Sequence, residues 1–138
     1  MTPVLLGRWQ TRILLLATLG AIVAAIFAAA RSDEAFFVVL AAVALLGLVW
    51  DVLYIAIQRL RWDRDWPTSF QVAAGLIEGV LVFLLLEYTG LPGIDSGAVG
   101  LGIFSAHYGS TWLLVFLATQ GPMRVLAPHW RYDGGRLA

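Results

Sequence analysis

Four long apolar stretches constrain this chain more than any other feature of its sequence. They run over about residues 13–30, 35–57, 69–88 and 99–119. A helix needs about 20 apolar residues to cross a hydrocarbon core roughly 30 Å thick, whereas a transmembrane barrel shows shorter strands of alternating polarity. We therefore predict an all-α integral membrane four-helix bundle. It forms a single transmembrane domain over residues 1–138, with short interfacial loops and an interfacial tail over residues 122–138.

The composition is typical of a chain that hides its surface in lipid. Of the 138 residues, 60% are hydrophobic and 13% are charged, whereas a soluble domain carries roughly 25% charged residues. Disulfides, thiolate metal sites and cysteine nucleophiles are excluded because the sequence has no cysteine. The net charge is zero and no continuous basic face is present, so we expect no nucleic-acid partner.

The distribution of arginine predicts how the chain is oriented. All nine basic residues are Arg, and eight precede the first stretch, separate the second from the third, or follow the fourth: Arg8, Arg12, Arg59, Arg61, Arg64, Arg124, Arg131 and Arg136. Cytoplasmic loops carry the excess of basic residues, so both termini are predicted to be cytoplasmic, in a plasma or inner membrane. Arg and Trp side chains at this side are predicted to be interfacial anchors: Arg61, Trp62, Arg64, Trp66 and Trp130.

The first stretch has a competing interpretation. Arg8 and Arg12, the apolar run after them and the small residues Ala28–Ala30 resemble a secretory signal peptide with its cleavage site. We expect a retained helix instead. Because no ionisable residue lies between Ile13 and Ala30, we expect this helix to pack or to face lipid without contributing polar groups.

Three ionisable residues lie inside the later stretches, namely Asp51, Glu78 and His107. A charged side chain that faces lipid at such depth costs about 3 kcal/mol or more, so these residues are expected to point inward and find partners. Tyr54, three residues after Asp51, lies on the same face of its helix. We predict a buried polar seam formed by Asp51, Tyr54, Glu78 and His107.

Small residues beside the ionisable ones indicate where helix backbones approach each other. The predicted packing positions form two pairs with a spacing of four residues: Gly75 with Gly79, and Gly102 with Ala106. The first pair flanks Glu78 and the second lies next to His107. A contact between the third and fourth helices is therefore predicted, with Glu78 facing His107.

Function is left open by the sequence, and three hypotheses are ranked. The first is an accessory or scaffold subunit that binds another membrane protein or forms a homo-oligomer, because the loops are short and no catalytic motif is present. The second is a proton, ion or small-solute transporter that uses the seam. The third is a membrane enzyme or a binding protein for a lipid or isoprenoid. The seam could also only fix helix register, or hold a divalent metal, although the sequence requires no cofactor and defines no metal site.

Overall fold

The computed structural model describes residues 4–60 and 68–137. Within them the chain is helical, with no β-sheet and an isolated bridge between Leu91 and Ile94. The described part consists of seven α-helices and a π-helical segment: α1 (Leu5–Leu15), the π segment (Leu16–Gly20), α2 (Ala21–Arg31), α3 (Ala35–Arg59), α4 (Thr68–Tyr88), α5 (Leu101–Gln120), α6 (Pro122–Leu126) and α7 (Pro128–Tyr132). The all-α prediction is confirmed for these residues.

Four helical runs in the described residues are long and apolar enough to cross a membrane: Leu5–Arg31, Ala35–Arg59, Thr68–Tyr88 and Leu101–Leu126. The shortest has 21 residues, which is about 32 Å at a rise of 1.5 Å per residue. That length matches a hydrocarbon core of roughly 30 Å. The four apolar helices that the sequence predicted are therefore present.

The first helix begins earlier than the apolar pattern indicates. It starts at Leu5, not at about Ile13, and continues without a break through the π segment to Arg31. The apolar count ended at Arg12 because a charged residue is costly inside a membrane. In the structure the helix accommodates Arg8 and Arg12 because acids from neighbouring helices face them.

The long helices form a closed ring. The first helix packs against α3 and α5, and α4 packs against the same two helices. We call the end at which α1 and α4 begin the tail end. The opposite end, which carries the turns at residues 32–34 and 89–100, is the loop end.

Apolar side chains fill the loop end of the bundle. The buried cluster consists of Leu16, Ala24, Phe36, Val39, Leu40, Val43, Val82, Leu86, Ile94 and Phe104. Ile94 comes from the long loop, which turns through Gly90, Gly93 and Gly97 at φ between 71° and 80°. Only glycine adopts this left-handed region without a steric cost, so these glycines allow the loop to fold over the core.

The tail, residues 122–137, folds back onto the start of α1. The Val4 N–H donates to the Gly134 carbonyl at 2.8 Å, and the Leu137 N–H donates to Gln10 Oε1 at 2.9 Å. A Cβ atom at Gly7 would overlap the Gly134 backbone, so glycine permits the close approach. The tail predicted to be interfacial therefore packs on the first helix, and the two described ends of the chain lie together.

Candidate functional site

Arg12 connects α1 with both α3 and α4. Its Nε donates to Asp51 Oδ2 at 2.9 Å, and its Nη1 donates to Glu78 Oε1 at 2.8 Å. Its Nη2 lies between the two acids, 3.2 Å from Asp51 Oδ1 and 3.3 Å from Glu78 Oε2. The planar guanidinium group presents its donors as a fork, which allows one cation to pair with carboxylates from two helices.

Arg8, one turn earlier on α1, is the second cation at this position. Its Nε donates to Asp51 Oδ1 at 2.9 Å, and its guanidinium carbon lies 3.7 Å from the centre of the Tyr54 ring, a cation–π contact. We call Arg8, Arg12, Asp51 and Glu78 the Arg12 cluster. Its two guanidinium and two carboxylate groups sum to zero charge, which offsets part of the cost of burying each ion.

The Arg12 cluster lies inside the bundle. Asp51 is 1% exposed and Glu78 is 5% exposed, while the side chains of Arg12 and Arg8 are 17% and 20% exposed. Gly47 on α3 leaves room for this arrangement, because a Cβ there would overlap the Arg12 guanidinium. An isolated buried charge is strongly destabilising, so the acids and the arginines depend on each other.

The Arg12 cluster forms part of the wall of a cavity of about 220 Å³. Along α1 the cavity extends from Gly7 to Leu16, nine residues or about 14 Å of helix. Other lining residues are polar near the tail end and apolar at the opposite limit of the cavity: Thr68, Gln71, Thr119 and Gln120, then Leu15, Leu16 and Val43. Since Leu16 and Val43 also belong to the loop-end core, the cavity ends part of the way through the bundle.

Trp130 of α7 lines the cavity at the tail end. It is 5% exposed, and its Nε1 donates to Thr11 Oγ1 at 2.7 Å while that hydroxyl donates to the Gly135 carbonyl at 3.0 Å. The residue predicted as an interfacial anchor is thus buried against α1. The other predicted anchors lie outside the described residues: Arg61, Trp62, Arg64 and Trp66.

Two buried polar atoms of cavity-lining residues have no hydrogen-bond partner in the described part of the chain. They are Trp50 Nε1 and Thr111 Oγ1, and Thr111 is only 4% exposed. Leaving a buried donor unsatisfied costs about 1–3 kcal/mol. A molecule with acceptor atoms in the cavity would remove this cost.

His107 lies apart from the Arg12 cluster. It is 2% exposed, and its ring centre lies 5.4 Å from that of Phe27 and 5.2 Å from that of Phe36. Neither ring nitrogen has a hydrogen-bond partner among the described residues. The structure brings three predicted seam residues to one cavity, but the predicted pairing of Glu78 with His107 is absent because both Glu78 oxygens bond to Arg12.

The two predicted small-residue pairs have different surroundings. Gly75 and Gly79 are buried, and the Tyr108 hydroxyl donates to the Gly75 carbonyl at 2.7 Å across the contact between α4 and α5. Gly102 and Ala106 are exposed on α5, and a Cβ at Gly102 would have no neighbour within 4 Å. Only the first pair therefore lies in the predicted contact between the third and fourth long helices.

Sequence reasoning missed the cations of the site. The expectation that the first helix brings no polar group is wrong, because Arg8 and Arg12 both point into the bundle from it. Two signals could have found them. Their spacing of four residues puts both on one face of a helix, and two acids in apolar helices require cations from elsewhere in the bundle.

The site favours the binding of a polar molecule over the binding of a metal ion. In the residues that the structure describes, no group of three His, Asp or Glu side chains converges on a position for a metal. Both buried acids are engaged by guanidinium groups. A metal ion would have to displace these cations.

Comparison with known proteins gives no relative from which a function could be transferred. No protein-family model, curated protein or solved structure matches the chain. The geometry of the cavity is therefore the basis for any functional assignment.

Proposed function

We propose that this chain is a multi-pass membrane protein that binds a small polar solute in the cavity and transports it across the membrane. The observation that carries this proposal is the position of a buried, charge-balanced cluster in the wall of a cavity that ends part of the way through the bundle. Polar and ionisable residues inside a membrane commonly mark substrate pathways.

Insertion into a bilayer is supported by the outer surface of the helices. Large apolar side chains are exposed on all four long helical runs, among them Ile26, Val49, Leu76 and Leu117. Contiguous apolar surface of this kind is rare on soluble monomers. Lipid chains would cover it.

We further propose that the tail end, with both termini, faces the cytoplasm of a plasma or inner membrane. The described arginines are concentrated at or near that end: Arg8, Arg12, Arg59, Arg124 and Arg136. The loop end has Arg31 together with several acids: Asp33, Glu34, Glu87 and Asp95. The excess of basic residues on cytoplasmic segments supports this orientation, in which the polar end of the cavity faces the cytoplasm.

The size of the cavity favours a solute over a whole lipid. Its volume of about 220 Å³ is below the roughly 300–1,000 Å³ of sites that enclose drug-sized ligands. It has room for about seven water molecules at roughly 30 Å³ each. The apolar core beyond Leu16 would have to separate during transport, as in alternating access, where a site near the midplane opens to one side at a time.

Flux into liposomes tests the transport proposal. The reconstituted protein should admit at least one member of a panel of small carboxylates, amines and neutral polar solutes faster than protein-free liposomes do. Glu78→Gln removes the ion pair with Arg12 and should change that flux about tenfold or more. Glu87→Gln is the matched control, because Glu87 is an exposed acid on the same helix and its substitution should leave flux unchanged. Equal flux in the wild type and the Glu78→Gln variant would count decisively against the proposal.

A second function, membership of a larger membrane assembly, is favoured by a different observation. Gly102, Ala106 and Ser110 repeat every four residues on the exposed face of α5, and we call them the small-residue stripe. Such a stripe allows another transmembrane helix to approach closely. Gly102→Ile should abolish co-purification of a partner from native membranes without altering the bundle. A wild-type protein that purifies as a lone monomer would contradict this function.

A further inference from the structure

We propose that the solute of the cavity is a small monocarboxylate, and that its binding is coupled to protonation of Glu78. This inference rests on the function proposed above and specifies its substrate class. It is argued from the donors around the cavity, from the fork of Arg12 and from the charge balance of the Arg12 cluster.

The cavity wall has hydrogen-bond donors without acceptors. The two carboxylates of the Arg12 cluster already accept bonds from guanidinium groups. Trp50 Nε1 and Thr111 Oγ1, both buried, have no partner among the described residues. An indole N–H can only donate, and a hydroxyl group can donate as well as accept. These atoms suit a ligand that carries acceptor oxygens.

Arg12 provides the group that would hold a carboxylate. Its Nη1 and Nη2 face Glu78 with N···O distances of 2.8 and 3.3 Å, a bidentate arrangement that any carboxylate can adopt. Its Nε stays with Asp51 at 2.9 Å. A ligand carboxylate that replaces Glu78 therefore keeps Arg12 paired and leaves the bond to Asp51 intact.

The exchange changes the charge balance. With the ligand bound, three carboxylates would face the two guanidinium groups of the Arg12 cluster. Glu78 would lose its partner while its side chain is 7% exposed, and a buried carboxylate without a partner is strongly disfavoured. It therefore takes a proton from water at the tail end, on the oxygen released by Arg12. One anion and one proton enter together, and the site stays neutral.

The neighbours of Glu78 are consistent with one exchangeable proton. The charged and titratable groups that line the cavity around it come from α1, α3, α5 and the start of the tail: Arg8, Arg12, Asp51, Tyr54, Tyr108 and Arg124. Asp51 accepts bonds from both arginines of α1, whereas Glu78 depends on Arg12 alone. Glu78 is thus the acid that ligand exchange releases.

Calorimetric titration of the full chain in lipid nanodiscs tests the inference with three probes of similar size. Propionate is the anion, propionamide the neutral analogue and propylammonium the cation. Titration in two buffers of different ionisation enthalpy also counts protons. We expect propionate to bind with uptake of about one proton, and the other two probes to bind at least about tenfold more weakly because they lack charge-assisted bonds to Arg12.

Two variants separate the anion site from the proton site. Glu78→Gln cannot take up the proton, so propionate should bind at least as tightly as in the wild type, without proton uptake and without pH dependence. Arg12→Lys keeps the positive charge but loses the fork, and should weaken propionate binding about tenfold or more. Glu87→Gln should behave like the wild type.

Each outcome decides a different part of the inference. Proton uptake that persists in Glu78→Gln would overturn the role of Glu78. Preference for propylammonium, or no binding of propionate, would overturn the substrate class. If liposomes still show Glu78-dependent flux of another solute, the proposed function stands without this inference. If no probe binds and no solute is transported, both are wrong.

Discussion

Glu78 and His107 are both ionisable residues inside long apolar helices, but their surroundings differ. Glu78 is bonded to Arg12 and lines a cavity that reaches the tail end. His107 lies between two phenylalanine rings and has no hydrogen-bond partner among the described residues. A buried carboxylate must be compensated by a cation, whereas a neutral imidazole can be buried at the cost of its hydrogen bonds.

This difference shows that polarity is segregated along the bundle. The tail end combines charges, a cavity and unsatisfied donors, which suit a polar ligand. The loop end is filled by aliphatic and aromatic side chains, which suit stable packing. Substitutions in the two regions should therefore affect stability in opposite ways.

Arg12→Gln should have the largest effect. It leaves both buried acids without their shared cation, and removing one partner of a buried ion pair costs about 3–5 kcal/mol. The free energy of unfolding can be measured by titration with denaturing detergent, followed by tryptophan fluorescence. Arg124→Gln is the control, since Arg124 is exposed and bonds only to the Gln120 side chain among the described residues. A similar loss in both variants would remove the distinction between the cluster and ordinary surface arginines.

Asp51→Asn should destabilise the protein more than Glu78→Gln. Asp51 accepts bonds from Arg8 and Arg12, whereas Glu78 accepts bonds from Arg12 only. With about 1.5–3 kcal/mol for a hydrogen bond to a charged group, the difference between the two variants should be about 1–2 kcal/mol in the same unfolding assay. The reverse order would show that Glu78, not Asp51, is the main structural acid.

Gly79→Ala should disturb the contact next to Glu78, and Gly102→Ala should not disturb the helix next to His107. A Cβ at Gly79 would lie 2.6 Å from Tyr108 Cε1, while one at Gly102 would have no neighbour within 4 Å. Overpacking of this kind costs about 1–3 kcal/mol. Gly102→Ala should change the free energy of unfolding by less than about 1 kcal/mol. Equal effects would place both glycines in similar surroundings.

His107→Leu should have a small effect of the opposite sign. Leucine has no polar atoms to leave unsatisfied and suits the rings of Phe27 and Phe36, so stability should be unchanged or higher by about 1 kcal/mol. His129→Leu, at an exposed position, serves as the control for the loss of an imidazole. Destabilisation by more than about 2 kcal/mol in His107→Leu alone would show that His107 has a polar partner, and the contrast with Glu78 would disappear.

The helices could be predicted from the sequence because each is an uninterrupted apolar run long enough to cross a bilayer. The acids of the site could also be found, since a carboxylate inside such a run is unusual. Their partners could not be identified in the same way. Arg12 lies at the margin of its apolar run, and only the packing of the first helix against α3 reveals that it faces Asp51.

The pairing of helix faces was the other limit of the sequence. The spacing of Gly75 and Gly79 identifies a close contact but does not specify which residues lie across it. In the structure these are Trp112 and Tyr108, and His107 points elsewhere on α5. One helix carries several faces, and a spacing of four residues fits more than one of them.

The π segment Leu16–Gly20 divides the first helix between the two regions. On one side of it Arg12 faces acids, and on the other Ala24, fully buried at 0% exposure, packs in the apolar core. A π turn accommodates one residue more than an α turn, which offsets the faces of the two halves by about 100° at 3.6 residues per turn. Removing one residue from this segment would straighten the helix into a single register. It could then satisfy either the charged partners of Arg12 or the core around Ala24, but not both.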